Sequence, residues 1–508
     1  MSRFGFVMSV LAMLVVGVFT PLHAQEVELG FFEADCIFPE LDGVTCGYLV
    51  VPEDRSQPDG NVVELAVAII SPLNPDASPV PVVYLEGGPG GAALLTTDVF
   101  LNHPITENHT LILFDQRGTG FSLPSLNCYE LETEDASDDP IAACRDRLLD
   151  EGVDLQMYNS AASAADIYDL AVALGYDQID LWGISYGTKL ALTVMRDYPE
   201  IVRSAVLDSV YAPETDDLQV QTTGFLDAMN QLFVRCAEDS VCSAAYPELE
   251  NDFYQMLEAF DANPLTVPYR DAELTLDGDT VYNTLFQTLY DTQAIPFLPY
   301  GITLLATAET EDDLASGYDV ISATEFPVEL EGGAEIEAPI ADSDEVLSYI
   351  DEYGDISDSE GMAYSVDCQE EYPLNDVDAA LSLAEAAPAP LNAFFVSSIE
   401  SQLESCTVWD VDTADAIETE RVTSDIPTLL YAGLFDPITP VTSAESAAEG
   451  LANGQVLVFP SAGHGITFTD TRSGECAKEL MLDFLADPSS PLDTICIDET
   501  SRIDFYMG

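Results

Sequence analysis

Apolar runs bounded by turn residues alternate, over the first part of the chain, with segments of helical periodicity. "VVELAVAII", "VPVVYLEG", "HTLILFDQRG", "QIDLWGIS" and "VRSAVLDSV" read as strands buried on both faces. Between them, "SAASAADIYDLAVALG" from Ser160 carries apolar residues at helical spacing and ends at Gly175, where a helix C-cap is expected. Strand and helix in alternation predict an α/β fold with a largely parallel sheet. Beyond Tyr211 the pattern turns helical, as in "GFLDAMNQLFVRCAED", "NDFYQMLEAFDANP" and "DAALSLAEAAPAPLNAFFVSSIESQLESC". An acidic, strand-poor stretch runs through "TAETEDDLASGYDV" and "EGGAEIEAPIADSDEV". Strand signals return at "IPTLLYAGLFDP" and "GQVLVFPSAGHG". The sheet is therefore expected to be interrupted by a large, mainly helical insertion and then completed. The parts are 25–210 for the first portion of the core, 211–424 for the insertion and 425–508 for the last portion. No internal repeat is visible.

The N-terminal residues change the compartment. "MSRFGFVMSVLAMLVVGVFTPLHAQEVE" places Arg3 before a long apolar run, and Ala24 closes a cleavage site, so 1–24 reads as a secretory signal. The alternative is an uncleaved anchor, since the apolar run is long enough to span a bilayer. With cleavage, no membrane association is expected and the product is secreted or periplasmic. The ten cysteines agree with export. They form no repeated CxxC and have no nearby histidine pair, which argues against zinc. They fall into five successive close pairs: Cys36 and Cys46, Cys128 and Cys144, Cys236 and Cys242, Cys368 and Cys406, Cys476 and Cys496. Oxidising compartments favour closing such loops, although sequence leaves the connectivity open.

Charge sets a further limit. Lys and Arg number 14 against 92 Asp and Glu, a formal net charge of −78, while 47% of the 508 residues are apolar. A packed core is expected, and nucleic acid is not a partner, because nothing here could neutralise phosphates. Acid spread along the chain fits a heavily hydrated surface suited to salty water.

Candidate chemistry centres on Gly183-Ile-Ser-Tyr-Gly187, which follows the apolar strand ending near Trp182 and precedes a helix broken near Pro199. A serine at such a strand-to-helix turn is held in a strained backbone that lifts its hydroxyl out of the sheet, and small neighbours make room for it. Its hydroxyl needs a base. Of His103, His109 and His464, only His464 lies just beyond the last strand, in the nucleophile, acid, base order of an α/β-hydrolase, with glycines on both sides. Asp436, on a loop stiffened by Pro437 and Pro440, is the expected acid, with Asp208 in "AVLDSV" as its competitor. Oxyanion donors are assigned to the backbone of Tyr186 and of Gly88 in "YLEGGPGGAAL", with Gly87 an alternative register.

"EGGPGG", "DQRGTGFS", "GISYGT", "LFDPITP" and "GHG", in this order, resemble the prolyl and tripeptidyl aminopeptidase family of α/β-hydrolase serine peptidases. The resemblance covers most of the chain beyond the signal and is vaguest in the insertion. It implies Ser185, Asp436 and His464 as a triad, a lid contributed by the insertion, and exopeptidase action on short peptides or other small acyl substrates, with no metal or organic cofactor. Asp115 and Arg117 of "DQRGTG" are expected to form a structural ion pair. Glu86 stands where prolyl aminopeptidases often carry histidine, so strict proline specificity does not follow. In "SVDCQEEYP", Glu370 and Glu371 are candidates for binding a substrate ammonium, because a charge in a covered pocket needs a fixed carboxylate. The same scaffold also hosts esterases and lactonases, and a non-catalytic binding protein is the third possibility.

Overall fold

The computed structural model describes residues 29–39, 41–132, 139–270, 272–323 and 343–508. The expected signal and most of "EGGAEIEAPIADSDEV" lie outside the described residues.

The main sheet has nine strands: β1 (Gly30–Ala34), β2 (Val44–Pro52), β3 (Val62–Ile70), β4 (Val82–Leu85), β5 (Leu111–Phe114), β6 (Ile179–Ile184), β7 (Val202–Asp208) and, after a hairpin of β8 (Leu265–Tyr269) and β9 (Ala272–Leu276), β10 (Thr428–Gly433) and β11 (Gly454–Phe459). Their order is β1-β2-β3-β5-β4-β6-β7-β10-β11. From β5 to β11 every neighbour runs parallel, whereas β1, β2 and β3 add an antiparallel flank. The parallel strands are buried along their whole length at β4, β5 and β10, as their unbroken apolar runs imply. The helix read from Ser160 spans Ser160–Leu174: Asn159 caps its start by accepting from the N–H of Ala162, and Gly175 ends it at φ 80°.

β1 and β2 escape the apolar-run criterion, since β1 is largely exposed and β2 is interrupted by Gly47, whose absent side chain lets the Phe31 ring and the Phe32 carbonyl approach. The insertion is mainly helical and also holds the β8–β9 hairpin.

Two apolar clusters cover the sheet faces, one of them containing Trp182, Tyr84 and Phe100, and a third fills the insertion with residues such as Phe225, Leu232, Phe253 and Leu298. Each large side chain buried in this way is worth roughly 1.5–3 kcal/mol of transfer free energy. The insertion is not a detached cap. Met362, Val366, Cys368 and Trp409 pack into the sheet-side core, while Phe435, Ile503 and Phe505 from the last portion of the chain pack into the insertion. The five successive cysteine pairs lie at disulfide distance, with Cα separations of 5.1 to 5.8 Å. Among the described residues no helix is long and apolar enough to cross a membrane, and no cluster of His, Cys, Asp or Glu could hold a metal.

Candidate active site

Parallel strands end on one edge of the sheet, and the loops that follow them carry the candidate residues. Ser185 links β6 to the helix Tyr186–Asp197 at φ 54° and ψ −127°. An L-residue pays strain to stand there, and the local packing explains why it stays. A Cβ on Gly183 would collide with the Gly187 carbonyl, and one on Gly187 with the Leu85 carbonyl, so both glycines of GxSxG are needed for the backbone crossing itself. The Ser185 N–H donates to the Asp208 carbonyl at 3.0 Å, which fixes the turn from the β7 side.

His464 follows β11, and its Nδ1 lies 2.8 Å from Oδ2 of Asp436. Asp436 follows β10 and is only 2% exposed. It also accepts from the N–H groups of Ile438 (3.0 Å) and Thr439 (2.8 Å) and from the Thr439 hydroxyl (2.6 Å). Burial works against charge on the imidazole, but the Asp436 charge and hydrogen bond, helped by Asp208 and Glu86, outweigh it and raise the pKa of His464. Burial alone would raise Asp436; His464 and the Thr439 donors reverse that and lower it. The ring is held from the insertion side as well, since Tyr290 packs 4.6 Å from it and Thr292 accepts from the Gly463 N–H at 3.0 Å.

Asp208, the competing acid, makes a different set of hydrogen bonds. It accepts from the N–H groups of Ile466 (3.1 Å) and Thr467 (2.7 Å) and from the Thr467 hydroxyl (2.6 Å), tying down the loop that carries His464. His103 accepts from the Ile105 N–H as a turn cap and packs against Trp182, with its pKa lowered by burial to about 4. His109 is also buried, and burial lowers its pKa.

The glycine loop after β4 approaches Ser185 closely: a Cβ on Gly87 would lie 3.0 Å from that of Ser185. The Gly87 N–H donates to Oε1 of Glu86 at 2.8 Å, while Gly88, at φ 106°, lines the cavity. Tyr186 is the first residue of its helix, so its N–H has no acceptor within that helix.

Ser185, Gly88 and Thr439 line a cavity of about 320 Å³ whose other walls include Asp217, Asp367 and Gln402 from the insertion. The side-chain oxygen of Gln402 has no hydrogen-bond partner among the described residues. Burial raises the pKa of Asp217; it raises that of Asp367 further, with help from the charges of Asp217 and Glu371.

Glu370 and Glu371 do not line this cavity. Both are buried and pair with the ammonium of Lys189, Glu370 at 3.0 Å. The carboxylates that face the cavity are Asp217 and Asp367, the latter one turn before the glutamates. Nothing local distinguishes these two among 92 acids. The expected Asp115–Arg117 pair is also corrected. Asp115 accepts from the N–H groups of Leu94 (2.9 Å) and Phe121 (2.8 Å), whereas Arg117 pairs with Asp166 through Nε and Nη2, both at 2.8 Å.

The alpha/beta hydrolase fold family matches residues 80–471. Serine protease Hip1 of Mycobacterium tuberculosis is 24% identical over 493 residues, covering 88% of this chain and 86% of its own. A putative hydrolase of Escherichia coli, YuaR, is 22% identical over 92% of this chain and 90% of its own. The tripeptidyl aminopeptidase of Streptomyces lividans is 27% identical over 201 residues, which is 35% of this chain and 37% of that protein. With the sheet order, the serine turn and the family match in agreement, the chain belongs to the α/β-hydrolase fold family.

Proposed function

We propose that this protein is an exported serine peptidase that releases residues or short peptides from free amino termini by way of an acyl-enzyme. The observation that carries the reading is the His464–Asp436 pair bonded to Thr439, which lines one cavity together with Ser185, Asp217 and Asp367. In this mechanism Ser185 Oγ attacks the scissile carbonyl and its proton passes to Nε2 of His464. Asp436 holds the imidazole by Nδ1 and stabilises the imidazolium. The N–H groups of Tyr186 and Gly88 receive the oxyanion. His464 then returns the proton to the leaving amine, and water, deprotonated by the same ring, releases the acyl group.

Peptide is favoured over simple ester by Asp217 and Asp367. A substrate ammonium leaving water needs a fixed negative partner, and a neutral acyl chain would gain nothing from one. Gln402 supplies an unused acceptor for a peptide N–H. A cavity of about 320 Å³ suits a few residues at most. The relatives named serine protease and tripeptidyl aminopeptidase support the same class. Five disulfides and the N-terminal sequence support export. The test is to incubate matched peptides, free and N-acetylated, and to identify products by mass spectrometry. The reading predicts cleavage a fixed, short distance from the free amino terminus and little turnover of the acetylated form. Equal cleavage of both, or hydrolysis of small esters alone, overturns it.

A further inference from the structure

The turn Asp367–Glu371 is π-helical, closed by the Tyr372 N–H donating to the Asp367 carbonyl at 3.0 Å. Such widened turns concentrate at functional sites. This one, part of the insertion, is lodged against two core helices. Gln369 donates through Nε2 to the carbonyls of Tyr158 (3.1 Å) and Leu155 (3.3 Å), just ahead of the helix Ser160–Leu174. Glu370 accepts from the Ser160 N–H at Oε1 (2.6 Å) and from the Ser160 hydroxyl at Oε2 (2.7 Å), and it pairs with Lys189 of the helix Tyr186–Asp197. The Ser160 hydroxyl in turn lies 2.8 Å from the phenol oxygen of Tyr186. All five side chains are buried.

Donor and acceptor roles follow from this arrangement. A carboxylate paired with an ammonium only accepts, so Ser160 O–H donates to Glu370 and accepts from Tyr186 O–H. The phenol keeps its proton, since burial, and then the Glu370 charge, raise its pKa. The relay therefore runs one way from Tyr186 through Ser160 to Glu370. It grips Tyr186, the first residue of the helix that follows Ser185.

We infer that the insertion takes part in the oxyanion site: Glu370 fixes Ser160, and Ser160 is a positioning residue that fixes Tyr186 and thereby its backbone N–H. The inference rests on the acyl-enzyme reading above. An oxyanion donor acts only if it is aimed where charge develops, and errors of about half an ångström already weaken it. A lid that were only a cover would have no need to hold this residue.

The test compares Ser160→Ala, Tyr186→Phe and the double variant on a free peptide and on a small neutral ester, with melting temperatures alongside. Each single is expected to lower kcat about tenfold or more on both substrates at unchanged KM, because the oxyanion is common to both. The double variant is expected to be no worse than the poorer single, since one relay cannot be broken twice. If Ser160→Ala does not fold, Tyr186→Phe decides alone. Folded variants that keep wild-type kcat, or that lose only thermal stability, overturn the inference, as do multiplicative losses in the double variant. A wild-type protein that forms no acyl-enzyme overturns the parent reading instead, and the two failures are distinguished by that control.

Discussion

Replacing Asp217 and Asp367 by Asn, singly and together, removes the negative charge from the cavity while keeping its shape. A unit charge about 4 Å from a carboxylate gains roughly 4 kcal/mol at an effective dielectric constant near 20, before either group's desolvation is charged against it. A hydrogen bond to a charged group retains about 1.5–3 kcal/mol net, which is roughly 10- to 150-fold in kcat/KM at about 1.4 kcal/mol per decade. The two carboxyls do not act independently. Burial first, and then the charge of Asp217, hold Asp367 well above the usual carboxylate range. Crowded acids of this kind carry fewer than two charges, so removing one lets the other ionise more readily. Each single variant is therefore expected near the low end, about tenfold, and the double near the high end. The loss should fall on KM, because the ammonium is held equally in ground and transition states. The assay is the ratio of kcat/KM for a free peptide to that for a small neutral ester. Acidification should mimic the double variant: as pH falls through the raised carboxyl pKa values, KM for the free peptide rises while that for the ester stays level. A double variant that keeps the wild-type ratio refutes the ammonium role of this pair.

Four further outcomes are expected. Asp436→Asn should lower kcat by about 10⁴-fold in a folded protein, since the wrong imidazole tautomer is then favoured. Asp208→Asn should act mainly on stability, by about 1–3 kcal/mol, through the donors of Ile466 and Thr467 that it leaves poorly paired; the reverse ranking in kcat would exchange the roles of the two acids. The acid limb of kcat/KM should lie above the ordinary histidine range, because the base must be neutral and Asp436 outweighs burial to raise His464; full activity below that range would require another base. The melting temperature should rise with salt, since a formal charge of −78 repels itself over a longer Debye length at low ionic strength, and a salt-independent value removes the halophilic interpretation.

What sequence reveals here is what is local. Ser185, Asp436 and His464 each sit just past an apolar run, and the glycines at 183, 187, 463 and 465 mark places where the backbone must pass closely or turn, so the site can be read from short motifs and their order. Glycine spacing at the oxyanion loop leaves Gly87 and Gly88 equivalent; only the bond from Gly87 to the Glu86 side chain separates them. Partners far apart in the chain are invisible in the same way. Arg117 meets Asp166 and not its neighbour Asp115, and Ser160 meets Glu370 across 210 positions. Asp217 and Asp367, which line the cavity, carry no signature in the sequence, since acid excess removes the rarity that would single out any one carboxylate. Glu370 and Glu371 are adjacent and near a cysteine, yet adjacency says nothing of which way a buried side chain turns, and here both turn to Lys189.

If Ser185 is an activated nucleophile, covalent labelling reveals it most directly. The folded protein is incubated with a fluorophosphonate, and the adduct is located by intact-mass and peptide mass spectrometry. One adduct per chain is expected, on Ser185, absent from Ser185→Ala and strongly slowed in a folded His464→Ala variant. An unlabelled wild-type protein, or an adduct that persists when Ser185 is removed, contradicts it.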